Sequence, residues 1–335
     1  MLHKAEAVHM SAETEKNKKD LFKDVTISCE TAREFLDNLD LTHPRWSRQN
    51  WIFRGQNDAR WQLMPSLYRT WERGTNPGLE LALIRLFISN ANLANLPIPN
   101  NSLGYYSDAF KPTVRELSAG ARYDFSHVVF AIAQHSGVPT RLLDFTHSPL
   151  VAAYFAVDTT NLFKAIGMGS DQLAEYFRQC AHCLVEEEDV IAKVTELAYK
   201  VQGCYELLPD EIAVWAVHAQ DLGDYTTIKL LEHPFTEILP LRMQKGVFLC
   251  DTDFEELDVQ QGKDWPSFDK KLAILVETKG IFKLTMPYTQ IEALHDLLTL
   301  HRYSPAVVKP SYEAVAKQTV AAAYEIFGYT NKTTE

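Results

Sequence analysis

The sequence predicts an α+β fold in which mixed small β-sheets are surrounded by helices. Hydrophobic residues make up 46% of the 335 residues and aromatic residues 11%, which is enough for a substantial core. Short β-rich segments are scattered among helical segments at uneven spacing, unlike the regular winding of a parallel α/β sheet. The sequence shows no internal repeat.

One folded domain is predicted, covering residues 21–325. Residues 1–20 are polar and lysine-rich and lack the apolar run of a secretory signal, so a disordered lead is expected there. Insertions are predicted near residues 92–120, which are rich in proline, asparagine and serine, and near 158–205, which are acidic and mostly helical. Residues 326–335 are expected to form a C-terminal tail.

The N-terminal part of the chain is predicted to form a strand, a capped helix and a second strand. Thr31 precedes a run whose spacing matches one face of a helix, namely Ala32, Phe35, Leu36 and Leu39. Residues 51–53 are aromatic or β-branched and lie between polar loops, which is typical of a short buried strand. After Pro77-Gly78, a further helix is predicted with one apolar face made by Leu79, Leu83, Leu86 and Phe87.

Residues 134–156 combine many polar residues with two apolar runs. The turn Gly137-Val138-Pro139 ends a helix predicted over 125–134, since proline biases the preceding residue toward extended backbone. Residues 140–146 are then predicted as a strand, and Ser148-Pro149 as the start of a helix. Arg141 and Asp144 therefore lie near the interior, where buried charges need partners. They can pair with each other or with backbone, or form part of a site.

The C-terminal half is predicted to contribute strands at 211–217, 246–250, 273–276 and 280–286. Thr289 is predicted to cap a helix with Ile291, Leu294, Leu297 and Leu298 on one face. Pro310-Ser311 is predicted to start a last helix that continues through Ala322.

Composition and charge exclude several classes of protein. The chain has no run of eighteen apolar residues, so no membrane span is expected. Its five scattered cysteines favour free thiols in a reducing cytosol, which predicts a cytoplasmic location. The net charge of −11 argues against non-specific binding to nucleic-acid backbones, although a local basic groove remains open. Cys180-Ala-His-Cys183 has ligand spacing but no second pair to complete a zinc site, so no metal is predicted.

Four segments of the chain, in this order, resemble the FRG domain family, which is named for a Phe-Arg-Gly motif. They are Phe53-Arg54-Gly55-Gln56, residues 134–156, Ala213-Val214-Trp215-Ala216, and Gln244-Lys245-Gly246-Val247-Phe248. The resemblance covers roughly residues 25–320. The sequence departs from the family pattern around His301-Arg302-Tyr303 and at Lys309, where a phenylalanine is expected. Both positions are predicted to lie away from the polar motifs.

The resemblance implies a further likeness, to the fold and the site of ADP-ribosyltransferases. In such enzymes an arginine or histidine of the first strand holds NAD, a hydroxyl of the second strand orders the site, and a glutamate of a late strand stabilises the ribosyl cation. Arg54, residues 140–146 and Gln244 match that order. The implied substrate is NAD, and the implied activity is an NAD-dependent ADP-ribosyltransferase. It would modify a base of DNA or RNA or a protein side chain, as a toxin or a defence effector.

The candidate site residues follow from this likeness. The candidate catalytic residues are Arg54, Asp144 and Gln244. Because Gln244 stands where a glutamate is expected, the negative charge is assigned to Asp144, with Glu211 as the alternative. The candidate NAD-binding residues are Arg54, Gly55, Gln56, Gln134, Thr140, Arg141 and Thr146.

The residue types fit this chemistry. An arginine fork matches a phosphate or a ribose edge with two donors. Stacking of nicotinamide or adenine is assigned to aromatic residues such as Trp61, Tyr68, Tyr154 or Phe248. Arg60 and Arg69 flank Trp61 and are candidates for phosphate contacts.

Other interpretations remain open. The same pocket suits a non-enzymatic module that binds nucleotides or proteins, and a sealed pair of Arg54 with Asp144 would be structural. A hydrolytic effector such as a nuclease is disfavoured because the sequence shows no clustered acidic metal set. Gln56 and Gln134 are explained more simply as buried amides that satisfy hydrogen bonds, and His135 as a helix cap. Exposure of Arg54 and Asp144 in one solvent-open cleft would favour a site.

Overall fold

The centre of the fold is one seven-stranded β-sheet. A computed structural model describes residues 21–70, 78–98, 126–158, 209–232, 242–251 and 267–327. The strands are β1 (Thr26–Ser28), β2 (Trp51–Gln56), β3 (Leu143–Thr146), β4 (Glu211–His218), β5 (Ile228–Leu231), β6 (Gly246–Asp251) and β7 (Ile281–Pro287). Their order across the sheet is β1-β7-β4-β2-β3-β6-β5. Strand β1 pairs in parallel with β7, and the other pairs are antiparallel. The α+β class is confirmed, with one continuous mixed sheet in place of the predicted small sheets.

The helices of the described segments surround this sheet. They are α1 (Ala32–Leu39), α2 (Ser66–Thr70), α3 (Gly78–Leu93), α4 (Ser126–His135), α5 (Pro149–Val157), α6 (Ala219–Tyr225), α7 (Phe268–Leu272), α8 (Ile291–Leu300), α9 (Pro305–Val308) and α10 (Tyr312–Phe327). Short 3-10 turns lie at Lys23–Val25, Pro44–Trp46, Ala273–Val276 and Tyr288–Gln290. Within the described segments, none of the helices has the length and apolar character needed to cross a membrane.

Several local signals in the sequence are confirmed. The Thr31 hydroxyl accepts a hydrogen bond from the Glu34 N–H at 3.2 Å and caps α1. The Ser148 hydroxyl accepts one from the Val151 N–H at 3.3 Å and caps α5. Helix α4 ends where Gly137 adopts a φ of 91°, which the turn after the helix requires.

Two predictions in the C-terminal half are wrong. Residues 273–276 form a 3-10 turn that continues α7, and the Gly280 N–H closes the following turn on the Leu275 carbonyl at 2.8 Å. Helix α8 begins after Gln290 without a side-chain cap, so Thr289 does not cap it. The Gln290 side-chain oxygen instead accepts a hydrogen bond from the Ala32 N–H at 3.4 Å, which ties α8 to α1.

The buried face of α3 also differs from the prediction. Ile84, Ile88 and Ala91 are buried, whereas Leu86 is 59% exposed. Glu80 is buried on the same face, one turn before Ile84, and it pairs with Arg141. That ion pair sets the rotation of the helix, because a buried carboxylate must face its partner.

Alternate residues of the strands face two hydrophobic layers. On one face, Phe53, Val214 and Leu284 pack with α1, α5 and α8. On the other face, Ile52 and Trp215 pack with α7 and with Phe22. The sheet is therefore covered on both sides near its centre, where β2 lies.

The predicted disordered lead, residues 1–20, lies outside the described residues. So do most of the two predicted insertions, Cys180 and Cys183, and the tail from residue 328 onward.

Candidate functional site

The candidate site lies where β2 and β3 separate in the middle of the sheet. Strands β2 and β4 pair over six residues, and β3 and β6 over four. Strands β2 and β3 pair only at Phe53 and Thr146. Beyond that pair the two backbones are not bonded to each other, which leaves an opening at the level of Arg54.

Arg54 lies in this opening. Its Nη1 donates to the backbone carbonyl of Asp144 at 2.8 Å and lies 3.9 Å from the carboxylate Oδ2. Its Nε is buried and has no hydrogen-bond partner among the described residues. Burial lowers the pKa of Arg54 to about 10, with a smaller contribution from Arg69 and an opposing one from Asp144. The guanidinium stays charged at neutral pH and retains an unused donor.

Asp144 faces solvent at the mouth of the opening. Its side chain is 60% exposed, against 16% for Arg54. Burial lowers the pKa of both Arg69 and His135, and the Asp144 carboxylate opposes the shift in each. Arg69 and His135 are nevertheless exposed as whole residues, so the burial of their charged groups is partial. Asp144 is therefore an exposed carboxylate that interacts with several basic groups, and Arg54 and Asp144 do not form a sealed pair.

Lys309 completes this group of basic residues. Its charge adds to the effect of burial in lowering the pKa of His135. Its Nζ pairs with the carboxylate of Asp158 and lies 5.5 Å from the centroid of the Phe155 ring. The expectation that position 309 lies away from the polar motifs is wrong, because the segment after α9 packs beside the end of α5. We call Arg54, Arg69, His135, Asp144 and Lys309 the cationic cleft.

Arg141 does not belong to the cationic cleft. Its Nε contacts the carboxylate of Glu80, and its backbone N–H donates to the same carboxylate at 2.7 Å. Both side chains are buried, at 10% and 2% exposure. Burial opposes the charge of Arg141, but Glu80, Tyr68 and Cys250 together outweigh it and raise the pKa of Arg141. This ion pair anchors α3 to the residues before β3, so Arg141 pairs with Glu80 and not with Asp144.

Gln134 and Thr140 also make structural contacts. The Thr140 hydroxyl donates to the Gln134 side-chain oxygen, and the Gln134 amide donates to the Leu142 carbonyl at 3.2 Å. The Thr140 N–H donates to the Ser66 hydroxyl at 3.1 Å. These bonds join α4, α2 and the approach to β3 behind the cleft.

Gln56 and Gly55 support β2. The Gln56 amide donates to the Gln62 carbonyl at 3.3 Å and accepts from Trp215 Nε1 at 2.8 Å, so both ends are used. A Cβ on Gly55 would lie 2.0 Å from the carbonyl oxygen of Ala152 in α5. The backbone that approaches this glycine is a helix, which fills the space assigned to a ligand.

Gln244 lies on the far side of the Phe53–Thr146 pair from Arg54 and is bonded to Thr146. The Thr146 hydroxyl donates to the Gln244 carbonyl at 2.6 Å and accepts from the Ser148 N–H at 3.0 Å. The Gln244 side-chain amide donates to the Val308 carbonyl at 3.0 Å. The register places Gln244 roughly 10 Å from Arg54 along the strands. The structure therefore joins Arg54 with Asp144 but not with Gln244.

The remaining candidates are mostly in the core. Tyr68, Tyr154 and Phe248 are buried, and Arg60 pairs with Asp58 at 2.9 Å. Glu211 accepts a hydrogen bond from Thr285 at 3.1 Å, in the sheet. The described residues hold no group of three or more His, Cys, Asp or Glu side chains placed to bind a metal.

Sequence reasoning missed Asp158 and Phe155, and it gave Lys309 no role in a site. The departure of position 309 from the family pattern was the available signal for Lys309.

Comparison with known families bears directly on this cleft. Residues 49–165 match the model of the FRG domain. The similarity to the FRG domain family therefore applies to this segment of the chain. No curated protein and no solved structure matches the chain.

The segment matched by the family model contains most of the cationic cleft. Arg54, Arg69, His135 and Asp144 lie inside residues 49–165, as does the buried pair of Glu80 with Arg141. Gln244 and Lys309 lie outside it, so the match is shorter than the resemblance at 25–320. The FRG motif itself has two physical roles here, since Arg54 supplies the buried cation and Gly55 admits α5.

Proposed function

We propose that the cationic cleft of this FRG domain binds NAD and transfers its ADP-ribose group to an acceptor. The observation that carries the proposal is the placement of Arg54. Its side chain is only 16% exposed, and its buried Nε has no hydrogen-bond partner among the described residues. It lies beside an exposed carboxylate at the point where β2 and β3 separate. A purely structural arginine is expected to use its donors within the protein.

The charges of the cleft suit a dinucleotide. Arg54 is mostly buried, whereas Arg69, His135 and Lys309 are exposed. Asp144 interacts with Arg54, Arg69 and His135, and Lys309 acts on His135. Cations in a partly desolvated site bind phosphate oxygens more strongly than cations surrounded by water. The whole chain has a net charge of −11, so a local group of cations indicates a specific anionic ligand.

Asp144 is the residue suited to the chemical step. When the bond between ribose C1′ and nicotinamide breaks, its electron pair leaves with the nicotinamide nitrogen and positive charge develops on the ribose. A carboxylate directed at that charge stabilises it electrostatically. The acceptor nucleophile then bonds to C1′ and releases its proton to solvent. The proposed acceptor is a nucleic-acid base or a protein side chain, as expected of a toxin or defence effector.

A second candidate function is a non-enzymatic module that binds a nucleotide. One observation favours it, namely that the Gln244 side chain is bonded to Val308 and no late-strand glutamate stands in its place. In this case the cleft would bind NAD or a related nucleotide without cleaving it.

The first prediction tests these two candidates with Arg54→Ala and Asp144→Asn. Both changes are expected to reduce nicotinamide release and label transfer by at least about 100-fold, the usual cost of losing one group that stabilises a transition state. Asp144→Asn is expected to change the free energy of unfolding by less than about 1 kcal/mol, because the side chain is exposed. The assay uses NAD labelled in the adenylate, with DNA, RNA and cell lysate as acceptors.

Matched controls separate the site from general charge effects. Arg33→Ala and Asp224→Asn change exposed residues outside the cleft and are expected to leave turnover unchanged. Tight NAD binding without nicotinamide release would favour the binding module. The site would be refuted if the wild-type chain neither binds nor cleaves NAD and Arg54→Ala only lowers stability.

A further inference from the structure

Lys309 is held at the cleft by partners that it can exchange. Its Nζ contacts the carboxylate of Asp158 and lies beside the Phe155 ring. The exposed fractions of the two paired side chains are 43% for Lys309 and 10% for Asp158. A lysine has a flexible stem and three donors, so its ammonium group can turn to a new anion with little rearrangement.

We propose that the ion pair of Lys309 and Asp158 is displaceable and marks a subsite that binds the phosphate groups of a nucleotide. A phosphate that binds here replaces Asp158 as the partner of Lys309. Lys309 and His135 then bind the phosphate together. This subsite rests on the proposed function only for the identification of the nucleotide as NAD. Phosphate binding does not require that the domain cleave its ligand.

The backbone of Asp158 is held in place by contacts that do not involve Lys309. Asp158 follows the last residue of α5, and its carbonyl accepts a hydrogen bond from the Asn57 amide at 3.0 Å. Asn57 also binds the carbonyls of Phe155 and Ala156 at 3.2 and 2.8 Å. The end of α5 is therefore fixed to the residue after β2, so Asp158 stays in place when Lys309 leaves.

The local charges favour an anion over a neutral ligand. Arg54, Arg69 and Lys309 are three cations, and Asp144 and Asp158 are the carboxylates with which they interact. These named groups leave one positive charge in excess. When Lys309 leaves Asp158, its charge becomes available to a bound anion. Lys309 and Asp144 both act on His135, so an anion bound to Lys309 also stabilises the charged form of that imidazole.

The test compares Lys309→Gln with Asp158→Asn. Binding of ADP and of inorganic pyrophosphate is measured by isothermal titration calorimetry, with adenosine as the probe without phosphate. Lys309→Gln is expected to weaken ADP and pyrophosphate binding about tenfold. Asp158→Asn removes the competing carboxylate and is expected to strengthen both several-fold. Adenosine binding is expected to stay the same in both variants.

The opposite signs distinguish a binding subsite from a structural ion pair. A structural pair predicts that both variants lower the melting temperature alike and change ADP affinity in the same direction or not at all, which would overturn the proposal. Failure of the wild-type chain to bind either ADP or pyrophosphate would also overturn it. Lys270→Gln, at an exposed lysine on α7, controls for the lost charge and is expected to bind ADP normally.

The same experiment is independent of the proposed enzyme activity. If ADP binding responds as expected while NAD is not cleaved, the subsite is retained and the transferase is rejected. If NAD is cleaved and ADP binding is insensitive to both substitutions, the transferase is retained and this subsite is rejected.

Discussion

Replacing Gly55 with alanine is expected to destabilise the domain by at least about 3 kcal/mol, a large part of the stability of an ordinary domain. The new Cβ would lie 2.0 Å from the Ala152 carbonyl oxygen and 2.6 Å from the Ala156 nitrogen. Both are backbone atoms of α5, so no side chain can rotate away to relieve the overlap. Helix α5 must move off β2, and the hydrophobic layer around Phe53 and Val151 opens with it. Urea unfolding followed by circular dichroism measures this change.

Gly223→Ala is the matched control for this prediction. Gly223 lies within α6, and a Cβ there would contact nothing within 4 Å. Alanine favours a helix more than glycine does, so this variant is expected to gain about 0.5–1 kcal/mol. Equal unfolding midpoints for Gly55→Ala and the wild-type chain would contradict the close approach of α5 to β2.

Glu80→Ala is expected to cost about 3–5 kcal/mol, because it leaves the buried Arg141 guanidinium without its counter-charge. It also removes the acceptor of the Arg141 backbone N–H, which Glu80 binds at 2.7 Å. Helix α3 and the residues before β3 are expected to loosen together. Thermal and urea unfolding measure the loss, and hydrogen exchange locates it in these two segments.

Two further variants make this second prediction specific. Glu232→Gln changes a carboxylate that is 64% exposed and 3.6 Å from His147, and it is expected to cost at most about 0.5 kcal/mol. The double change Glu80→Leu with Arg141→Met removes both charges and is expected to recover part of the loss. Recovery is incomplete because the backbone N–H of residue 141 still lacks its acceptor. A double variant that loses as much as the two single losses combined would refute the buried ion pair.

The cleft explains why one polar stretch contains both structural and candidate functional residues. Arg141 and Thr140 face inward and bond Glu80 and Gln134, whereas Asp144, three and four positions later, faces solvent. The start of β3 separates these roles, because Thr140 and Arg141 lie before the strand and Asp144 lies within it. Arg54 and Asp144 therefore meet through the opening between β2 and β3 and not through a regular strand pairing.

The sequence by itself determined the local elements and the polar residues worth testing. Thr31 and Ser148 cap their helices through their own hydroxyls, and Gly137 ends α4, because these signals act over a few neighbouring residues. Periodicity also located β4, β6 and the helix α1. Arg54 and Asp144 were both chosen from sequence, and the structure places them together.

Only the tertiary structure decided the partners of these residues. Arg141 and Glu80 are 61 positions apart, and Lys309 and Asp158 are 151 positions apart. No local pattern specifies such pairs, because they depend on how helices pack across the sheet. Strand pairing likewise places Gln244 on the far side of Thr146 from Arg54. The packing of the segment after α9 beside α5 places Lys309 at the cleft. Register and packing are set by contacts between distant segments, which a linear pattern does not record.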